Sequence, residues 1–122
     1  MIVTYWIVAG LLAVFYLYSG AMKIVRSRAG LQPMMHWVER APMPAVKVIG
    51  VLEVLGALGL ILPPITDIAP WLALAAAIGL VLVQIGATVL HLVRGEARQI
   101  GLNIALLVLA GVAVWLAAAL FL

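Results

Sequence analysis

Residues 49–64 read IGVLEVLGALGLILPP, an apolar run that contains one carboxylate, Glu53, and ends in two prolines. Extended back to Ala45, the run approaches the length of about 20 mostly apolar residues that a bilayer-spanning helix requires. An isolated charge is costly inside hydrocarbon, so an acid at this position needs a partner or a ligand. The stretch therefore predicts a transmembrane helix with a candidate functional residue in its interior.

The whole composition agrees with a membrane location. Of the 122 residues, 68% are hydrophobic and 9% are charged, and the mean hydropathy is +1.32. Soluble domains carry about a quarter charged residues, and a chain of this size could not bury so much apolar surface alone. These values exclude a soluble enzyme, a disordered segment and a nucleic-acid-binding domain. The absence of cysteine excludes disulfides and thiol chemistry.

Three further apolar segments reach spanning length, and helix-breaking residues separate all four. Pro63 and Pro64 are expected to end the second span. Asp67 is placed to cap the third, with Pro70 in its first turn, where a missing N–H costs little. The sequence thus predicts an all-α membrane protein of one domain, residues 1–122, with four transmembrane helices at about 2–24, 45–62, 68–92 and 100–121.

The segment 25–44 is the long connection between the first two spans. Within it, Leu31, Met34, Met35 and Val38 recur at helical spacing, and polar residues occupy the other side. This pattern is typical of a short amphipathic helix that lies in the membrane interface. The alternative is a polar loop without a helix.

The basic residues predict the orientation of the chain. All seven Lys and Arg residues lie in or beside the connections 25–44 and 93–99, whereas the connection between the second and third spans carries only Asp67. Cytoplasmic loops are enriched in Lys and Arg. We therefore expect a multi-pass protein of the cell membrane with both basic loops in the cytoplasm and both termini outside.

Polar side chains inside the spans are concentrated in the half of the membrane next to the basic loops. On the first span, Tyr16, Ser19 and Lys23 share one helix face. The third span carries a similar stripe, and each of the other two contributes one residue. Counted from an interface at Lys47, Glu53 lies about 9 Å deeper, a gap that two extended side chains can cross, so Lys23 can reach Glu53. The arrangement predicts a ligand pocket that opens toward the cytoplasm. Its candidate ligand-binding residues are Tyr16, Ser19, Lys23, Glu53, Gln84, Thr88, His91 and Asn103.

Other interpretations of these residues remain open. Polar side chains also join transmembrane helices by hydrogen bonds, Lys23 could extend to the membrane surface, and His91 could belong to the interface. The spans contain no HExxH, Walker or GxGxxG motif. No catalytic residue and no metal site is therefore assigned.

Pairs of small residues four positions apart predict close helix contacts. They are Ala73–Ala77, Ala75–Gly79 and Ala113–Ala117. Small residues at this spacing let helix backbones approach closely in membranes. The pairs could pack helices within one chain or form a homodimer.

Several stretches of the sequence resemble the DoxX-like family of four-helix membrane proteins. They are YSGAMK at 18–23, IGVLEVLGALGLILPP at 49–64 and AAAIGLVLVQIGATVLHLVRGE at 75–96, followed by Asn103. The resemblance covers nearly the whole chain and implies that Lys23, Glu53, His91 and Asn103 are the family's polar positions. It also implies a link to the membrane subunit of thiosulfate:quinone oxidoreductases, and hence a quinone as the bound cofactor and a redox protein as partner.

Three functions follow from these observations. The first is a ligand- or quinone-binding membrane subunit of an oxidoreductase assembly. The second is a transporter of small molecules driven by proton exchange at Glu53. The third is an assembly or chaperone factor in which the polar cluster only fixes helix packing. The sequence favours the first, and it leaves open whether the chain catalyses a reaction.

Overall fold

The computed structural model describes residues 1–33, 35, 38 and 42–122, the side chains of 97–99 excepted. Within this part of the chain, four helices are long and apolar enough to cross a membrane. A fifth helix, α2, is a single turn. The helices are α1 (Ile2–Val25), α2 (Arg28–Leu31), α3 (Met43–Thr66), α4 (Leu72–Arg94) and α5 (Ala97–Phe121).

The four long helices form a ring in which neighbours in sequence are also neighbours in space. α1 packs against α3 and α5, and α4 packs against the same two helices. Small side chains fill the centre: Ala73, Ala77, Ala113 and Ala117 are fully buried. Two of the three predicted small-residue pairs therefore pack helices within the chain, and a homodimer stays a prediction.

The described part of the first connection begins with the single helical turn α2. The Ser27 hydroxyl accepts a hydrogen bond from the Gly30 N–H and caps α2, which ends at Leu31. Leu31 and Val38 are buried in a small cluster with Val46 of α3, so the connection folds back onto the bundle. The predicted amphipathic helix runs through Met34 and other positions outside the described residues, so it stays a prediction.

The turn between α3 and α4 differs from the sequence prediction. α3 continues through Pro63 and Pro64 to Thr66. Asp67 then ends it in the left-handed conformation, with φ 56°. Asp67 therefore terminates the second span and does not cap the third. α4 begins at Leu72 and not at residue 68, and Pro70 precedes its first turn.

A contact with α1 explains how α3 tolerates Pro64. Proline has no N–H, so Pro64 leaves the carbonyl oxygen of Leu60 without its helical donor. The hydroxyl of Tyr5 donates to this oxygen at 2.6 Å. Tyr5 is fully buried and stacks edge-on against Trp6 and Phe121. The Tyr5 hydroxyl of α1 thus donates the hydrogen bond that Pro64 cannot donate to Leu60.

The opposite end of the bundle holds the candidate site. We call it the α2 end: α1 and α4 finish there, and α3 and α5 begin there. Lys47 of α3 donates to the carbonyl oxygen of Ile24 at 2.7 Å. This bond satisfies one of the carbonyls that the last turn of α1 leaves unpaired.

Candidate ligand-binding site

The site begins where α1 and α3 cross. A Cβ atom added to Gly20 would lie 2.6 Å from the carbonyl oxygen of Gly50, and one added to Gly50 would lie 2.7 Å from that of Gly20. Only glycine allows this separation, because real Cβ contacts are essentially never so short. The backbones of α1 and α3 therefore touch at this point.

The crossing brings a lysine and a glutamate together, each one turn beyond a glycine. Lys23 follows Gly20 and Glu53 follows Gly50. The helices are antiparallel, and each Cα–Cβ bond tilts toward the N-terminus of its own helix, so the two side chains lean toward each other. Lys23 forms a salt bridge with Glu53 Oε1 and donates to the Ser19 hydroxyl at 2.9 Å.

This pair is buried inside the bundle. Lys23 is 7% exposed and Glu53 is 2% exposed. Opposite charges in contact reduce the large cost of placing either one alone in a medium of low dielectric constant. Lys23 and Glu53, which the sequence predicts to be within reach of each other, are thus in direct contact.

A second set of polar residues links three helices. The Tyr16 hydroxyl of α1 donates to Gln84 Oε1 of α4 at 2.7 Å. Gln84 Nε2 in turn donates to Asn103 Oδ1 of α5 at 2.9 Å. All three side chains are at least 95% buried. We call this set, Tyr16–Gln84–Asn103, the amide relay.

A cavity of about 650 Å³ lies between the ion pair and the amide relay. Its apolar wall includes Phe15, Ile49 and Leu106. Tyr18 and Leu102 also line it while 59% and 47% exposed, so the cavity extends to the outer surface of the bundle. Met35, from the first connection, contributes to its lining at the α2 end.

Two buried polar atoms of the cavity residues are unpaired within the described part of the chain. They are Glu53 Oε2 and Asn103 Nδ2. Buried polar groups in proteins nearly always have a partner, and each one left without costs about 1–3 kcal/mol. The cavity thus presents one hydrogen-bond acceptor and one donor that a ligand could satisfy.

A compact turn places another acid at the cavity. Gly95 adopts φ 71° after the last residue of α4. The Glu96 N–H then donates to the His91 carbonyl at 2.9 Å and the Gly95 N–H to that of Leu92 at 3.2 Å, which is a Schellman motif. The turn folds Glu96 back, so that its Oε1 lies 3.0 Å from His91 Nδ1 and 2.8 Å from Arg94 Nε.

These contacts stabilise the ionised form of Glu96. The hydrogen bond with His91 has the largest effect and holds the pKa of the Glu96 carboxyl below its usual value. Desolvation opposes it and raises this pKa, and the contacts with Arg94 lower it again. His91 is 9% exposed, and both His91 and Glu96 line the cavity. The rim of the cavity at the α2 end is therefore a hydrogen-bonded set of titratable side chains.

Glu96→Gln is expected to remove a pH-dependent part of the stability. The folded-state pKa of Glu96 lies below the unfolded value, so its contribution is complete above the unfolded pKa and disappears as the pH falls through the folded pKa. Unfolding of both proteins in detergent should show a wild-type advantage near neutral pH that vanishes in acid. A difference that stays constant with pH would contradict this assignment.

Seven of the eight predicted site residues line the cavity, namely Tyr16, Ser19, Lys23, Glu53, Gln84, His91 and Asn103. Thr88 is not among the lining residues: its hydroxyl donates to the Gln84 carbonyl of its own helix at 2.8 Å. The sequence analysis missed Glu96. The signal for it was the Gly95–Glu96 pair after an apolar helix, since a Schellman turn brings that residue back toward His91.

The chemistry of the cavity is that of hydrogen bonding and proton exchange. Its polar side chains are an amine, two carboxylates, two amides, an imidazole and hydroxyls. Among the residues that the structure describes, no group of three or more His, Asp or Glu side chains is placed to hold a metal ion. The arrangement suits an organic ligand with a polar end and an apolar body.

Comparison with known proteins identifies one family. The sequence model of the DoxX-like family matches residues 7–120. No curated protein and no solved structure shows significant similarity to the chain. The matched region includes all of α3 and α4, most of α1 and α5, and every residue that lines the cavity. The chain belongs to the DoxX-like family of membrane proteins.

Proposed function

We propose that this chain binds a quinone-type ligand in the cavity and serves as the membrane subunit of an oxidoreductase assembly. The observation that carries the proposal is the pair of unsatisfied buried atoms, Glu53 Oε2 and Asn103 Nδ2. Both belong to residues that line one cavity. A ligand that accepts from Asn103 and donates to Glu53 would remove the cost of leaving both atoms unpaired.

The size and walls of the cavity support an amphipathic ligand. A volume of about 650 Å³ lies within the roughly 300–1,000 Å³ of typical ligand pockets. The lining residues Tyr18, Leu82 and Leu102 are also exposed on the outside of the bundle, where the bilayer surrounds the helices. A quinone has a ring with polar oxygens and an apolar tail, so its ring could occupy the polar end while its tail extends into lipid.

The side chains at the cavity could transfer protons, and a second protein would supply the electrons. Carboxylate and imidazole groups are common general acids and bases in proteins. Glu96 and His91 lie in contact at the α2 end, where protons from water would enter. Electrons would come from a redox partner, which we propose to dock at the same end.

The test is to identify small molecules that the gently purified protein retains, by mass spectrometry. The variant is Lys23→Met/Glu53→Gln, which removes both buried charges together, and the control is Asp67→Asn, the same acid-to-amide change at an exposed site. We expect a quinone in the wild type and in the control but not in the folded double variant. A ligand that persists in the double variant, or none in any protein, would overturn the proposal and favour a structural role for the polar cluster.

We also propose that the α2 end faces the cytoplasm. The described cations Lys23, Arg26, Arg28, Lys47 and Arg94 all lie at that end, and positive loops are retained in the cytoplasm. The chain contains no cysteine, so Ser27→Cys and Asp67→Cys each introduce a single label site. In intact cells a membrane-impermeant thiol reagent should label only Asp67→Cys. Labelling of only Ser27→Cys would reverse the orientation.

A further inference from the structure

We infer that Tyr16 is a positioning residue that sets the hydrogen-bond polarity of the cavity, so that Asn103 presents a donor and not an acceptor to the ligand. The consequence for ligand choice rests on the proposed binding function. The polarity itself is a property of the protein without ligand. It follows from the order of donors and acceptors along the amide relay.

Tyr16 fixes which groups donate and which accept along the amide relay. Tyr16 is 2% exposed, and the proton of its buried hydroxyl needs an acceptor. Within the described chain, the hydrogen bond of this hydroxyl goes to Gln84 Oε1, at 2.7 Å. Because an amide nitrogen carries two protons and accepts nothing, Gln84 must turn its oxygen toward Tyr16.

The orientation then passes to Asn103. With its oxygen facing Tyr16, Gln84 faces Asn103 with Nε2, which can only donate. Asn103 therefore supplies Oδ1, at 2.9 Å, and its Nδ2 is the atom left without a partner among the described residues. The opposite orientation of both amides would leave the Tyr16 proton buried and unbonded, at a cost comparable to a lost hydrogen bond.

The polarity determines which ligands suit the cavity. A carboxylate oxygen, Glu53 Oε2, already provides an acceptor. If Asn103 were reversed, the cavity would present two acceptors and would repel a carbonyl ligand. With the relay intact, the carbonyl oxygen of a quinone can accept from Asn103. A quinol can in addition donate a hydroxyl proton to Glu53, so both redox forms fit and the reduced form satisfies more of the site.

Asn103 is the only asparagine in the chain, so side-chain ¹⁵N-labelled asparagine gives a single nitrogen resonance with two proton correlations, which we call the Asn103 signal. We expect Tyr16→Phe to shift this signal in ligand-free protein and to weaken binding of duroquinone, a carbonyl-only probe, by about three- to tenfold, the equivalent of one hydrogen bond. The matched control is Tyr5→Phe, which removes a buried hydroxyl from the same helix, outside the cavity. Tyr5→Phe should change neither the Asn103 signal nor the binding of duroquinone.

Three outcomes separate the inference from the proposed function. An Asn103 signal that is the same in the wild type and Tyr16→Phe, or that moves equally in Tyr5→Phe, would overturn the inference. A wild-type Asn103 signal with the proton shift of a hydrogen-bond donor before any ligand is added would also overturn it, even if Tyr16→Phe failed to fold. If duroquinone leaves the wild-type signal unmoved, the quinone proposal fails, while the ligand-free comparison still decides the role of Tyr16.

Discussion

Lys23→Met and Glu53→Gln are each expected to lower the free energy of unfolding by about 3–5 kcal/mol, and the double variant is expected to lose much less than their sum. Each single change leaves one charge in the bundle without its opposite, since both side chains are more than 90% buried. The double change removes both charges of the pair. Reversible unfolding of the four proteins in mixed micelles would give the coupling energy.

The four proteins form a double-mutant cycle, and a control cycle combines Lys47→Met with Asp67→Asn. These residues are exposed and lie at opposite ends of the bundle, so their effects should add within about 0.5 kcal/mol. Additive effects at Lys23 and Glu53 would contradict the salt bridge. A strong coupling would also show why the ligand test uses the double variant: a single variant could lose its ligand simply by unfolding.

The cycle also bears on the proposed function. A buried ion pair often contributes little net stability compared with apolar residues of similar size, because both charges must be desolvated. If the double variant is as stable as the wild type but retains no ligand, the pair is kept for binding. If it is much less stable, the pair serves the fold, and the case for a structural factor becomes stronger.

The spans could be predicted from the sequence because the length of an apolar run is a local property. Their ends were less predictable at Pro63 and Pro64, where the helix continues because Tyr5, 55 residues away from Leu60, bonds the carbonyl that Pro64 leaves free. No local pattern reports a contact at that separation. The capping role assigned to Asp67 was wrong for the same reason: the helix before it was longer than the prolines suggested.

The depth of the site residues in the membrane could be predicted from the sequence, but the rotation of each helix about its axis could not. Counting residues from the membrane interface placed Lys23 and Glu53 within reach of each other. It could not show that Tyr16, Gln84 and Asn103 are bonded in a row, because that depends on how three helices are rotated about their axes. Thr88 lies on the same predicted stripe as Gln84, but its hydroxyl is used by its own helix.

Gly20→Ala and Gly50→Ala are each expected to lower the free energy of unfolding by about 2–3 kcal/mol, near the upper end for an overpacked core. Each new Cβ would lie 2.6 or 2.7 Å from a carbonyl oxygen of the facing helix. No rotation of a side chain can relieve a contact with backbone, so α1 and α3 must move apart. The same movement would separate Lys23 from Glu53, and we expect the variants to lose the ligand as well.

The matched control is Gly10→Ala, on the same helix as Gly20. A Cβ atom at Gly10 meets nothing within 4 Å, and alanine is favoured over glycine within a helix by about 0.5–1 kcal/mol. This variant should therefore be as stable as the wild type or more stable. The stability of Gly56→Ala should lie between those of Gly10→Ala and Gly50→Ala, because the atoms nearest to its new Cβ belong to the Leu80 side chain, at 2.6 Å, and a side chain can move. Equal effects at Gly10 and Gly50 would show that helix propensity decides the outcome, and that the close crossing does not.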